Sequence, residues 1–306
     1  MKNIAFIFPG QGSQSVGMGL DLYENFAESK FVFDTADKVL GKSISKVCFE
    51  GPDDELKQTI NTQPAILATS IAALNAFKAN FDVTPAYTAG HSLGEYAAYY
   101  ASGAISLEDA FKLIQKRAEL MSESKGGAMA AVLNSTEETV KECISQVEGY
   151  VAVANYNSPQ QIVITGDENA VKQASELLLE KGVRRVVPLA VSGAFHSEFM
   201  KNAGDKFGEF VKDFDVKDTE IPVATNVDGE FTTSDFKEKM AKQIYSSVLW
   251  TQSIEKMIEN GVDTFIEFGN GNVLAGLNKK INPEVKTFNV SNKESLEATI
   301  KALSEV

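Results

Sequence analysis

The stretch Ala89-Gly90-His91-Ser92-Leu93-Gly94-Glu95 limits the possible folds more than any other part of the chain. A short apolar run (86–89) meets a helical pattern (95–101) across a G-x-S-x-G sequence, which predicts a tight strand-to-helix turn with a serine hydroxyl at its apex. The helix N-terminus then aims its positive end at that hydroxyl. Gly90 and Gly94 leave room on both sides of the serine, and Ala97, Ala98 and Ala101 let the helix pack close to a sheet. The plain alternative is an incidental serine on an ordinary turn, so the rest of the chain must supply the chemistry.

Strand-like and helical patterns alternate along both ends of the chain. Strands are expected at 4–8, 86–89, 222–226, 264–268 and 286–290. Helices are expected at 20–28, 31–40, 65–79, 107–122, 198–210, 236–245, 253–260, 273–281 and 293–303. This order predicts an α/β fold, a mostly parallel sheet with helices on both faces, α/β-hydrolase-like. Between 126 and 190 the units shorten to strand 128–133, helix 137–146, strands 151–155 and 161–165, helix 169–180 and strand 183–188. That βαββαβ order predicts an inserted ferredoxin-like subdomain. Residues 1–125 and 191–306 then form the large catalytic domain and 126–190 the small one. Asn155-Tyr156-Asn157-Ser158-Pro159 reads as a polar turn between the two middle strands.

The net charge of −13 over 306 residues argues against nucleic-acid partners and against binding to an anionic membrane surface, both of which need a basic face. No apolar run reaches membrane-spanning length and no signal-like segment opens the chain, so the expected location is cytoplasmic. A monomer is expected, although the sequence does not fix the oligomeric state. Cys48 and Cys143 lack metal-ligand spacing and read as free thiols. Gly10, Gly12 and Gly17 miss the G-x-G-x-x-G spacing of a dinucleotide site. Neither a cofactor nor a metal is expected.

Serine at its ordinary pKa is a weak nucleophile and needs a base within hydrogen-bond reach. The chain has two histidines, His91 and His196. His91 directly precedes Ser92, and adjacent side chains on a sharp turn diverge, so His196 is the base by elimination. No acid stands out as a third member, and a backbone carbonyl could orient the imidazole instead. An oxyanion needs preorganised N–H donors. Leu93, after the serine, offers one, and Gln11, on the loop after the first strand, offers another if the two strands are neighbours.

One of only three arginines interrupts an apolar helical stripe. Ile114, Arg117, Ala118 and Met121 share a face. A guanidinium on an inward face is costly unless a carboxylate meets it, supplied either by the protein or by a ligand.

Several segments now occur in order: Phe8-Pro9-Gly10-Gln11-Gly12-Ser13-Gln14, Thr62-Gln63-Pro64-Ala65, Gly90-His91-Ser92-Leu93-Gly94-Glu95-Tyr96, the Arg117 helix, Gly127-Ala128-Met129-Ala130, Asn155-Tyr156-Asn157-Ser158-Pro159 and Gly193-Ala194-Phe195-His196-Ser197. Together they resemble the malonyl-CoA:acyl-carrier-protein transacylases of bacterial type II fatty acid synthesis, over nearly the whole chain. The resemblance implies an acyl-enzyme on Ser92, His196 as base and then acid, and an oxyanion hole from Gln11 and Leu93. It also implies malonyl-CoA as substrate, acyl carrier protein as partner, Arg117 on the malonyl carboxylate, and Gln63 and Asn157 as further substrate-binding positions. Phe195 before His196 matches the pattern that accompanies malonyl rather than methylmalonyl in related domains.

The family usually orients its histidine through a main-chain carbonyl before a tryptophan, here Ser247-Val248-Leu249-Trp250. Two departures stand out. Leu249 replaces a frequent glutamine, and Gly269-Asn270-Gly271-Asn272 replaces the usual G-P-G-K, so a lysine is missing. An acidic carrier needs a local basic patch, for which Lys181, Arg184, Arg185, Lys279 and Lys280 are available. A serine hydrolase on the same elbow, such as a thioesterase or carboxylesterase, and an inactive scaffold are the competing readings. The Arg117 anomaly and the Gln11 loop favour transfer over hydrolysis, and the intact Ser92, His196 and Arg117 set argues against a scaffold.

Overall fold

The computed structural model describes residues 3–191 and 193–305; Met1, Lys2 and Ser192 (in the segment before His196) and Val306 lie outside the described residues. Among the described residues ten strands form two sheets. They are β1 (Ile4–Phe8), β2 (Tyr87–Gly90), β3 (Ala128–Leu133), β4 (Val151–Ser158), β5 (Gln161–Gly166), β6 (Arg185–Pro188), β7 (Val223–Ala224), β8 (Phe231–Thr232), β9 (Thr264–Phe268) and β10 (Lys286–Val290). The larger sheet has the order β10-β9-β1-β2-β7-β8 and is parallel except for the β7–β8 pair.

Strand β1 alternates toward two cores, as a central strand covered on both faces must. Ile4, Phe6 and Phe8 join the larger cluster, where Phe6 meets Phe77 and Phe268 edge-on at centroid distances of 6.1 and 4.9 Å. Ala5 and Ile7 face the opposite cluster with Trp250, Ile254 and Phe265.

The smaller sheet, order β4-β5-β3-β6, is wholly antiparallel. With the helices Glu137–Ile144 and Glu168–Glu180 it makes the ferredoxin-like βαββαβ unit. It is tied to the larger part through β4. Tyr156 N–H donates to Val248 O at 2.9 Å, Val248 N–H to Ala154 O at 2.8 Å, and Thr251 Oγ1 to Tyr156 O at 3.0 Å.

Some expectations are corrected. Helix 20–28 is broken by the extended Phe26 (φ −132°, ψ 124°), giving Leu20–Asn25 and Ala27–Leu40. The helix expected from residue 65 begins at Thr59 and runs through Pro64 to Asn80. Proline in a helix leaves the carbonyl four residues back without its N–H partner. Here the Lys42 ammonium donates to that oxygen, Ile60 O, at 3.1 Å. Asn155 to Ser158 are strand, not turn, with register irregularities in β4 between Val153 and Asn155 and between Tyr156 and Ser158. The short helices Ile44–Glu50 and Asp53–Leu56 and the strand β8 are additional to the expected elements. Among the described residues no helix is long and apolar enough to cross a membrane, no acid, histidine or cysteine cluster suits a metal, and Cys48 and Cys143 are both buried free thiols.

Candidate active site

Parallel sheets collect binding loops at the carboxyl ends of their strands, and four such loops meet here. Gln11 follows β1, Ser92 follows β2, Asn226 follows β7 and Asn270 follows β9. Because β1 and β2 pair directly, with Phe8 opposite Gly90, the loops carrying Gln11 and Ser92 are neighbours. A cavity of about 100 Å³ opens between them, lined among others by Gln11, Gln63, Ser92, Leu93, Arg117 and His196. It continues through Gln11, His91, Asn155 and Leu189 into a cleft of about 210 Å³ between the two sheets' elements, walled by Asn157, Gln161, Val273 and Leu277. The largest cavity, about 810 Å³, lies elsewhere, beside Phe31, Lys78 and Tyr100, and touches none of these residues.

Ser92 has φ +53°, left-handed for a residue with a Cβ, a conformation that costs about 1–2 kcal/mol. The glycines on either side make the turn possible. A Cβ on Gly90 would lie 1.9 Å from the Gly94 carbonyl carbon, and one on Gly94 would lie 2.2 Å from Phe8 O. Asn226 locks the turn by two bonds, accepting from Ser92 N–H at 2.7 Å and donating to Gly90 O at 2.7 Å. Its own N–H donates to buried Glu95 at 2.7 Å, whose other oxygen accepts from the Tyr99 hydroxyl. Burial pushes the Glu95 carboxyl up to about 7.

His196 Nε2 lies 2.8 Å from Ser92 Oγ. Its Nδ1 faces two carbonyl oxygens, Gln243 O at 3.0 Å and Ser246 O at 3.1 Å. Carbonyls only accept, so the proton sits on Nδ1, and Nε2 presents a lone pair to the serine. This corrects the segment expected to orient the imidazole. Leu249 starts the helix Trp250–Glu259, and its carbonyl instead accepts from Ser253 N–H and Ser253 Oγ. Burial, then the Arg117 charge, hold His196 down to about 3, so it is neutral and able to accept a proton at neutral pH.

Arg117 is fully buried, and among the described residues no carboxylate lies within ion-pair distance of it. Its fork is held by neutral groups. Nη1 donates to Gln63 Oε1 at 2.7 Å, and Nη2 donates to Gln243 Oε1 at 2.9 Å and to Ser92 Oγ at 3.1 Å. Nε has no partner among the described residues. Buried Glu95 acts on it only from beyond ion-pair distance, and a desolvated cation without a direct carboxylate contact beside a nucleophile suits an anionic ligand group. Gln63 is fixed by a further bond from its Nε2 to Met121 Sδ at 3.6 Å.

Among the described residues the Gln11 and Leu93 N–H groups donate to no other group, and both residues line the cavity with Ser92. Ser92 N–H, by contrast, is spent on Asn226. His91 takes no part in the serine contacts. Its Nε2 is 2.7 Å from Asn157 Oδ1, and its ring packs 5.7 Å from Trp250. Asn157 thus sits in the adjoining cleft and supports the elbow from behind, while Gln11, Gln63, Ser92, Leu93, Arg117 and His196 share one cavity.

Sequence reasoning missed Asn226 and Gln243. Gln243 Nε2 also donates to Ser92 O at 2.8 Å, so one side chain and its own carbonyl touch Ser92, Arg117 and His196 together. Asn272, one of the departures in the glycine loop, stands at the start of helix Val273–Ile281 without capping it. Buried Glu267 caps it instead, accepting from Leu274 N–H at 3.1 Å and Ala275 N–H at 2.8 Å.

A pH dependence follows from the neutral His196. In the free protein its acid limb lies far below the ordinary imidazole value near 6.5, so kcat/KM stays flat as pH falls from 8 to about 5, two units above the depressed value. A ligand anion on Arg117 would cancel part of the charge that depresses His196, so the acid limb of kcat should sit at higher pH than that of kcat/KM. Full pH profiles check both. A limb in kcat/KM near 6.5 would contradict the buried, neutral base.

The family model for the acyl transferase domain matches residues 5–287. The malonyl CoA-acyl carrier protein transacylase of Bacillus subtilis is 49% identical over 313 residues, covering 100% of this chain and 98% of that one. The structure of the malonyl CoA-acyl carrier protein transacylase of Clostridium perfringens is 41% identical and superposes with a TM-score of 0.94, covering 100% of this chain and 98% of that one. A malonyl-transacylase solved in complex with its type II PKS acyl-carrier protein is 34% identical, with a TM-score of 0.95 over 98% of this chain and 100% of that one. With the elbow, the dyad and the buried arginine in place, the chain belongs to the acyl transferase domain family, among the malonyl CoA-acyl carrier protein transacylases.

Proposed function

We propose that the protein moves a malonyl group from malonyl-CoA to the phosphopantetheine thiol of an acyl carrier protein in two half-reactions through an ester on Ser92. The observation that carries this reading is Arg117, buried with no carboxylate in ion-pair contact among the described residues and 3.1 Å from Ser92 Oγ. Ser92 Oγ attacks the thioester carbonyl while His196 Nε2 takes the hydroxyl proton. The Leu93 and Gln11 N–H groups receive the developing oxyanion. As the C–S bond breaks, His196 returns that proton to the coenzyme A sulfur. In the second half the carrier thiol gives its proton to Nε2, its sulfur attacks the ester carbonyl, and Ser92 Oγ takes the proton back as it leaves.

Arg117 holds the malonyl carboxylate, with Gln63 and Gln243 keeping the fork in place. The cleft past Asn157 and Gln161 admits the pantetheine arm. Of the basic residues available to an acidic carrier, Lys181 is paired with Glu142, and Lys279 donates to Pro283 O and Val285 O. Arg184, Arg185 and Lys280 are exposed without an ion-pair partner among the described residues, so we assign the carrier contact to them.

A two-half reaction predicts that labelled coenzyme A exchanges into malonyl-CoA with no carrier protein present. Absence of exchange, with transfer to carrier intact, would mean direct transfer in a ternary complex and would sink the Ser92 ester.

A further inference from the structure

We propose that Asn270 is a positioning residue for the oxyanion donor Gln11, bracing from outside the turn that carries it. The inference rests on the reading of Gln11 as a donor given above. After β1 the chain folds through Gly10 to Ser13, with Ser13 N–H and Ser13 Oγ both donating to Gly10 O at 3.4 and 2.9 Å. Gln11 lies inside this turn. Its inner side rests on the elbow, since a Cβ on Gly10 would come within 2.6 Å of His91 O.

The outer side is held by the loop after β9. Asn270 Nδ2 donates to Ser13 O at 2.6 Å and to Ser15 Oγ at 2.9 Å. Next to it, Gly269 packs so tightly on Pro9 that a Cβ there would lie 2.9 Å from the proline ring. The brace is itself anchored at both ends. Gly269 N–H donates to Val290 O at 3.0 Å, and Glu267 caps the helix that follows.

The turn is therefore clamped between the elbow and a loop fixed to the sheet, and among the described residues the side-chain hydrogen bonds from that loop to it come from Asn270. An oxyanion donor works only at hydrogen-bond distance from the developing charge, so a turn that drifts outward weakens the transition state without loosening the substrate.

The test uses the full chain with Asn270→Ala, Asn270→Asp and Asn270→Gln. Three quantities are read: kcat and KM for malonyl-CoA, and the rate at which a fluorophosphonate phosphonylates Ser92, which needs the oxyanion site but no malonyl group. Asn270→Ala should lower kcat and the phosphonylation rate together by about tenfold, less than the 10²–10³ lost when a donor is removed outright, with KM unchanged. Asn270→Asp, equal in size but unable to donate, should fall as far, and Asn270→Gln should recover part of the loss. Thermal midpoints taken alongside separate a displaced turn from a poorly folded variant. Unchanged rates in Asn270→Asp, or a loss confined to KM, would overturn the proposal. A wild-type protein that the fluorophosphonate does not label at Ser92 would overturn the reading of the site, and this inference with it.

Discussion

Arg117→Ala is expected to lower kcat/KM for malonyl-CoA by about 10²–10⁴-fold, from the roughly 3–5 kcal/mol that a buried charge costs when its partner is removed. Acetyl-CoA, which brings no carboxylate, should change by less than about tenfold, the scale of one ordinary hydrogen bond to Ser92 Oγ. The selectivity ratio is the informative quantity. Arg117 makes three side-chain bonds and is fully buried, so its removal also leaves Gln63 and Gln243 without their partner. Disturbance of those two would slow both substrates alike. A fall in malonyl-CoA alone identifies the guanidinium as the carboxylate's partner, whereas equal losses would make it a structural cation. Arg117→Lys tests the fork, because a point charge cannot replace a planar bidentate donor.

His196→Ala should reduce formation of the Ser92 ester by about 10³–10⁴-fold, the upper range for loss of a general base. Its Nε2 is the only imidazole nitrogen within reach of Ser92 Oγ, at 2.8 Å. Residual activity is expected because the Leu93 and Gln11 N–H groups remain. His91→Ala serves as the contrast. His91 bonds Asn157 and packs on Trp250, so its loss should cost little more than the support of the elbow. Stopped-flow release of coenzyme A measures both variants, and an equal loss in the two would contradict the assignment of the base.

Much of this site is legible in the sequence because the chemistry narrows the choices. The elbow is read from local spacing, His196 from the scarcity of histidine, and Arg117 from a charge on an apolar stripe. The adjacency that brings Gln11 beside Leu93 is a property of strand order, which the pattern of alternating elements implies without specifying. Asn226 and Gln243 were not legible. An amide in a loop or on the last turn of a helix has no periodic signature, and its value depends on which backbone groups come to face it. The Nδ1 partners show the same limit. Two carbonyls from Gln243 and Ser246 do the work expected of Ser247 to Leu249, because the helix after the tryptophan takes up the Leu249 carbonyl. The helix through Pro64 escaped for a similar reason. Proline signals a start or a stop unless a distant group, here Lys42 on Ile60 O, satisfies the carbonyl it orphans.

The claim that joins these parts is that Ser92 carries the acyl group and Arg117 chooses it. Incubating the protein with malonyl-CoA or acetyl-CoA, quenching with acid and weighing the Ser92 peptide tests it most directly. The account predicts a malonyl adduct on Ser92, little acetyl adduct under the same conditions, and neither in Ser92→Ala. No malonyl adduct, or equal yields of the two, would contradict it.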